Sequence, residues 1–105
     1  MPFMRRSKLL LLATLMAAGI VAGCAGAPLQ EMSDARQAIR AAERAGAATH
    51  APEPLAEAKQ LVEQARSSMQ KREYREARDE AERARERAME ARRIAEVAAA
   101  PPAAP

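Results

Sequence analysis

Aromatic side chains are almost missing from this chain: there is no tryptophan, one phenylalanine (Phe3) and one tyrosine (Tyr74). A surface that stacks nucleic-acid bases needs several such rings, so no nucleic-acid partner is expected. Cysteine occurs once, as Cys24, which rules out an internal disulfide. Histidine also occurs once, as His50, flanked by threonine and alanine. A protein metal centre draws on several His, Cys or carboxylate ligands at suitable spacing, and no such set is present. Nucleophile–base pairs, glycine-rich phosphate loops and metalloprotease signatures are lacking too. No catalytic residue, metal ligand, cofactor site or small-molecule substrate is therefore assigned, and His50 is expected to be an ordinary exposed residue. β-Branched residues are rare beyond the N-terminal segment (Ile39, Thr49, Val62, Ile94, Val97), which disfavours a sheet. Between Pro54 and Pro101 there is neither glycine nor proline, so nothing in that stretch interrupts a helix by composition.

What is present begins with a leader. Met1 to Lys8 carries Arg5, Arg6 and Lys8 and no acid, and Leu9 to Gly23 is a continuous apolar and small-residue run apart from Thr14. A basic start, an apolar stretch and a small-residue end make up a secretory signal peptide over residues 1–23. At about 1.5 Å per residue this run reaches ~23 Å, short of the ~30 Å hydrocarbon core, which disfavours a permanent span. The segment closes on Val21-Ala22-Gly23-Cys24, although Ala25-Gly26-Ala27 also satisfies the ordinary A-x-A cleavage pattern.

Val21-Ala22-Gly23-Cys24 resembles the lipobox of bacterial lipoproteins, an aliphatic residue and two small ones before a cysteine. The resemblance implies lipid on the Cys24 sulfur, cleavage between Gly23 and Cys24, and acylation (palmitate or similar) of the new amino end. Several acyl chains at ~0.8 kcal/mol per buried CH2 hold a protein stably on a bilayer. In that family an aspartate after the cysteine retains the protein in the inner membrane. Ala25 at that place implies an outer-membrane anchor facing the periplasm.

Charge changes meaning once the leader is set aside. The whole chain carries 17 basic and 14 acidic residues, a formal +3. Arg5, Arg6 and Lys8 account for that excess, so residues 24–105 are balanced and offer no electrostatic argument for a polyanionic partner. These 82 residues hold eleven large apolar side chains, enough for one small domain with a thin core.

The punctuation predicts an all-α fold: an alanine-rich antiparallel hairpin or three-helix bundle over residues 33–98, after a lipidated cysteine and tether at 24–32. The first helix, about 30–45, has the stripe Met32, Ala35, Ile39, Ala42, with Pro28 or the Asp34/Gln37 pair near its start and Gly46 as its left-handed stop. Residues 46–53 read as a loop. The second helix, about 53–70, takes Pro52 and Pro54 in its first turn and shows Leu55, Ala58, Val62, Ala65 and Met69. The third, about 73–98, repeats Tyr74, Ala77, Ala81, Ala84, Ala88, Ala91, Ala95 and Ala98, a 3.5-residue period with alanine at nearly every inward position. From Met69 to Tyr74 the helical rotation is about 500°, which carries the seam ~140° off its face. A turn at 70–73 lets both seams face each other, and the Pro/Ala tail at 99–105 is expected to be disordered.

Arg72-Glu73-Tyr74-Arg75-Glu76-Ala77 resembles the middle of a tetratricopeptide repeat, where Gly-Asp-Tyr-x-x-Ala joins two helices. Here Arg72 replaces the glycine, and a single copy makes no repeat array. Tyr74 and Ala77 thus mark a helix turn. The lipobox, Ala45-Gly46-Ala47, Ala51-Pro52 and Tyr74-x-x-Ala77 together resemble the small alanine-rich bacterial lipoproteins that carry domain of unknown function 4398. That resemblance implies a helical periplasmic domain on a lipid anchor, without assigned chemistry.

Charged pairs such as Asp79/Arg83 and Glu90/Arg93 read as a solvated helix face. The alanine seam closes within the chain or meets another helix, from a second copy or another envelope protein. Met89, Ile94 and Val97, near the end of the third helix, are the expected partner surface. The functional expectation is a non-enzymatic structural or adaptor lipoprotein of the outer membrane. The alternative is an oligomeric alanine-coil spacer resembling the major murein lipoprotein, although no lysine follows Lys71 for wall attachment.

Overall fold

A computed structural model describes residues 26–102. The leader, the lipobox residues Val21, Ala22, Gly23 and Cys24, and the last three residues of the tail lie outside the described residues. Four helices follow in order: α1 (Leu29–Arg44), α2 (Ala47–His50), α3 (Pro52–Gln70) and α4 (Tyr74–Ala99), with no strand among the described residues. The fold is all-α, with α3 and α4 as an antiparallel hairpin and α1 laid against it.

Each boundary has a local cause. Pro28 occupies the N-cap position of α1, so the Asp34/Gln37 pair caps nothing; Asp34 accepts from Gln30 and Gln37 donates to Ser33 inside the helix. Helix begins four residues earlier than the tether expected at 24–32 would allow. Gly46 ends α1 at φ 93°, with its N–H on the Glu43 carbonyl. The expected 46–53 loop contains one helical turn, because the Gly46 carbonyl accepts from both Thr49 and His50 and starts α2. Ala47 and Ala51, four apart, are both buried by this turn. α3 takes Pro52 at its first position, where a missing N–H leaves no bond unmade.

The turn between α3 and α4 is a Schellman motif: Glu73 N–H bonds the Ser68 carbonyl at 2.8 Å and Arg72 N–H bonds Met69 at 3.0 Å. Its left-handed position, φ 61°, is filled by Arg72, the only non-glycine residue of positive φ among the described residues. Glycine is the usual occupant, since a Cβ there costs roughly 1–2 kcal/mol.

The core is built from unequal contributions. α4 supplies only alanine: Ala77, Ala81, Ala84, Ala88, Ala91 and Ala95, each fully buried. The large buried groups come from α1 (Met32, Ile39) and α3 (Leu55, Leu61, Val62). Methyl-sized side chains let the helix axes approach to near 8 Å, and the larger residues of the two neighbours close over that seam. Ala98 continues the spacing but is exposed, because α4 at 26 residues outruns α3 at 19 and α1 at 16.

Three outcomes test these constraints. Arg72→Gly should stabilise the fold by about 0.5–1 kcal/mol, the relief of strain less the added freedom of the unfolded chain, and raise the melting midpoint by a few degrees. Gly46→Ala should lower stability by about 1 kcal/mol through φ rather than space, since the new Cβ meets only the His50 ring at 3.5 Å. In urea titrations, Ala84→Leu should cost about 1–3 kcal/mol by overpacking, whereas Ala98→Leu stays within about 0.5 kcal/mol.

Candidate interaction surfaces

The alanine period fixes what lies on the two flanks of α4. Residues seven apart return to nearly the same side of a helix packed this way. Glu80, Arg87 and Ile94 form one such row, and Arg78, Arg85 and Arg92 form the other. The first row faces α3. Ser68 donates to Glu80 Oε1 at 2.9 Å, and Arg87 Nε donates to Glu57 at 2.6 Å while its Nη1 reaches Glu90. The hydrogen bond to Glu57 raises the Arg87 pKa above its ordinary value; partial desolvation opposes this, and the Glu57 and Glu90 charges add to it. Glu90 therefore turns back to Arg87 rather than forward to Arg93, as the spacing alone suggests, while Asp79–Arg83 forms at 3.9 Å.

Ser68 is the one buried polar residue among those described, and the second oxygen of Glu80 is buried without a partner. Among the described residues, Ser68 thus makes the only hydrogen bond to the Glu80 carboxylate, on the flank of α4 that faces α3. Its loss leaves that group short of donors.

The arginine row faces α1, which runs parallel to α4. Arg78 bonds Glu31 at 3.3 Å and the Gly26 carbonyl at 3.4 Å. Further along, a groove of about 440 Å³ opens between the helices, floored by Ala38, Ala41 and Met89 and edged by Arg44, Arg85 and Arg92. Arg92 turns to Glu96 at 2.7 Å. Toward the start of α1 the same groove becomes acidic, with Glu31, Asp34, Glu82 and Glu86 around Arg85. The groove is consequently polarised along its length, acidic near the start of α1 and basic near its end.

Met89, Ile94 and Val97 are exposed at 52, 38 and 72%. They spread over ~140° of the outer side of α4: Met89 lies on the α1 flank, Ile94 on the α3 flank, and Val97 between them, opposite the buried alanines. Only Met89 joins the groove. Tyr74 and Ala77 sit at the start of α4, Ala77 buried and Tyr74 half-buried, below the Schellman turn. His50 is exposed at the end of α2. Among the described residues there is no group of three or more His, Cys, Asp or Glu placed to hold a metal ion, and no helix long and apolar enough to cross a membrane.

The geometry describes a small helical bundle with charged flanks and a shallow, polarised groove. The family model named domain of unknown function (DUF4398) matches residues 30–104, and the chain belongs to this family. No curated protein and no solved structure matches it.

Removing the Ser68 hydroxyl by Ser68→Ala should destabilise the hairpin by about 1–2 kcal/mol in thermal or urea unfolding, because the Glu80 carboxylate then lacks its donor.

Proposed function

We propose that this chain is a lipid-anchored envelope lipoprotein, non-enzymatic, whose helical bundle serves as a structural or adaptor element on the periplasmic side of the outer membrane. The observation that carries this reading is the order of features at the N-terminus. Three basic residues, an apolar run and Val21-Ala22-Gly23-Cys24 precede a folded body that begins within a few residues of the cysteine. Family membership adds the domain but no chemistry. The outer-membrane assignment rests on Ala25, and the adaptor role on the polarised groove between α1 and α4, which offers an elongated partner charges of both signs.

The alanine seam bears on the spacer alternative. A coil that assembled through these alanines would need them free, and α1 and α3 already cover them in one chain. We therefore favour a bundle whose contacts with other envelope components are made by its flanks.

Cys24→Ser tests the anchor directly. The wild-type chain should sediment with membranes and, by intact mass, begin at Cys24 with acyl groups attached; the variant should lose the acyl mass and leave the membrane fraction or remain uncleaved. A mature wild-type chain starting at Pro28 without acyl groups would overturn the reading.

A further inference from the structure

The anchor reading says which residue is held at the bilayer, and the structure carries this further, to how the body stands there. No free tether separates Gly26 from the fold. Pro28 is fully buried, Leu29 N–H bonds the Ala27 carbonyl at 2.8 Å, and Arg78 holds the Gly26 carbonyl at 3.4 Å while pairing with Glu31. Cys24 lies two residues before Gly26, a span of at most ~7 Å. The headgroup layer is itself about 5–7 Å deep on each side of the hydrocarbon core. An acylated Cys24 therefore leaves the start of α1 at headgroup level.

The parallel packing of α1 on α4 brings that point to the same end of the bundle as the α3–α4 turn. Exposed side chains there include Lys71, Arg72 and Arg75, with Glu73 and Glu76 among them, and Leu29, 68% exposed at the first turn of α1. The opposite end carries α2, the overhang of α4 and exposed Val97. From residue 75 to residue 97 is ~33 Å along α4, several times the depth of the headgroup layer.

We propose that the bundle stands end-on, with the α3–α4 turn at the lipid surface, Lys71, Arg72 and Arg75 against lipid phosphates and Leu29 at the interface, so that the basic half of the groove points away from the membrane. The inference rests on the lipid-anchor reading. Cations near an anionic surface gain about 1 kcal/mol each, and this contribution is screened by salt. The turn carries three cations against Glu73 and Glu76, a net +1, whereas cations of the flanks are taken up by carboxylates, as in Asp79–Arg83, Glu57–Arg87 and Arg92–Glu96.

The test uses the full chain, matured and acylated, in vesicles of phosphatidylethanolamine and phosphatidylglycerol that contain a nickel-chelating lipid. With Cys24 acylated, a spin label on Gln70→Cys or Val97→Cys marks one end at a time. Relaxation by the surface nickel should be several-fold stronger at position 70 than at 97. Combining Lys71→Gln, Arg72→Gln and Arg75→Gln should reduce that contrast while the melting midpoint is kept. Equal relaxation at both positions in a chain that floats with the vesicles and carries its acyl mass would overturn the end-on arrangement and leave the anchor intact. Contrast unchanged by the triple substitution would overturn the phosphate contact. A chain that neither floats nor carries acyl mass would remove the anchor reading and this inference together.

Discussion

The close approach of α4 to its two neighbours is the constraint on which the rest depends. Six fully buried alanines give α4 a smooth face, and a smooth face allows backbones to draw together to a degree that leucines would prevent. Alanine buries little apolar area, so α4 brings geometry rather than hydrophobic energy to the core. The energy comes from Met32, Ile39, Leu55, Leu61 and Val62, which occupy the complementary side of each interface. This division explains how the described residues, with eleven large apolar groups among them, form a packed domain. It also explains the composition of α4, whose remaining positions are free to be charged because its inward ones are so small.

Close packing then fixes the flanks. With the seam in place, Glu80 and Arg87 must face α3 and Arg78 and Arg85 must face α1, and the partners on those helices follow: Ser68 and Glu57 on one side, Glu31 and the Gly26 carbonyl on the other. Most of these pairs are part-exposed, where an ion pair contributes less than about 1 kcal/mol. Their role is to set register. Glu80 differs, because one of its oxygens is buried without a donor and the other depends on a single hydroxyl.

Much of the architecture was legible beforehand, and the reasons are local. Pro28, Gly46, Pro52 and Pro54 mark ends that steric rules dictate, and the observed bounds of α1 and α3 fall beside them. The break before Tyr74 has no glycine or proline. It was visible only as a phase jump in the apolar stripe, and the structure places a Schellman turn there with Arg72 in the seat that a tetratricopeptide-like turn gives to glycine. α2 escaped notice because four residues are too few to show a period. Its signal lay in Ala47 and Ala51, spaced by one turn. Met89, Ile94 and Val97, expected as a partner surface, are all exposed on the outer side of α4, and of the three Met89 borders the groove. The arginine row of α4 was equally present in the sequence, yet its meaning required knowing which helix covers which flank. The lipobox lies outside the described residues and is read from the sequence alone.

The overhang of α4 has a mechanical corollary. Through its middle the helix is gripped between two neighbours, whereas beyond the end of α1 its last turn has company on few sides and stops at Ala100, in extended geometry, before Pro101. Such a rod behaves as a cantilever: stiff where it is clamped, compliant at its tip. Ala84 is fully buried while Val97 is 72% exposed, so opening of the tip exposes none of the packed interior. Whatever grips that tip can therefore bend or unwind it without loosening the body behind it.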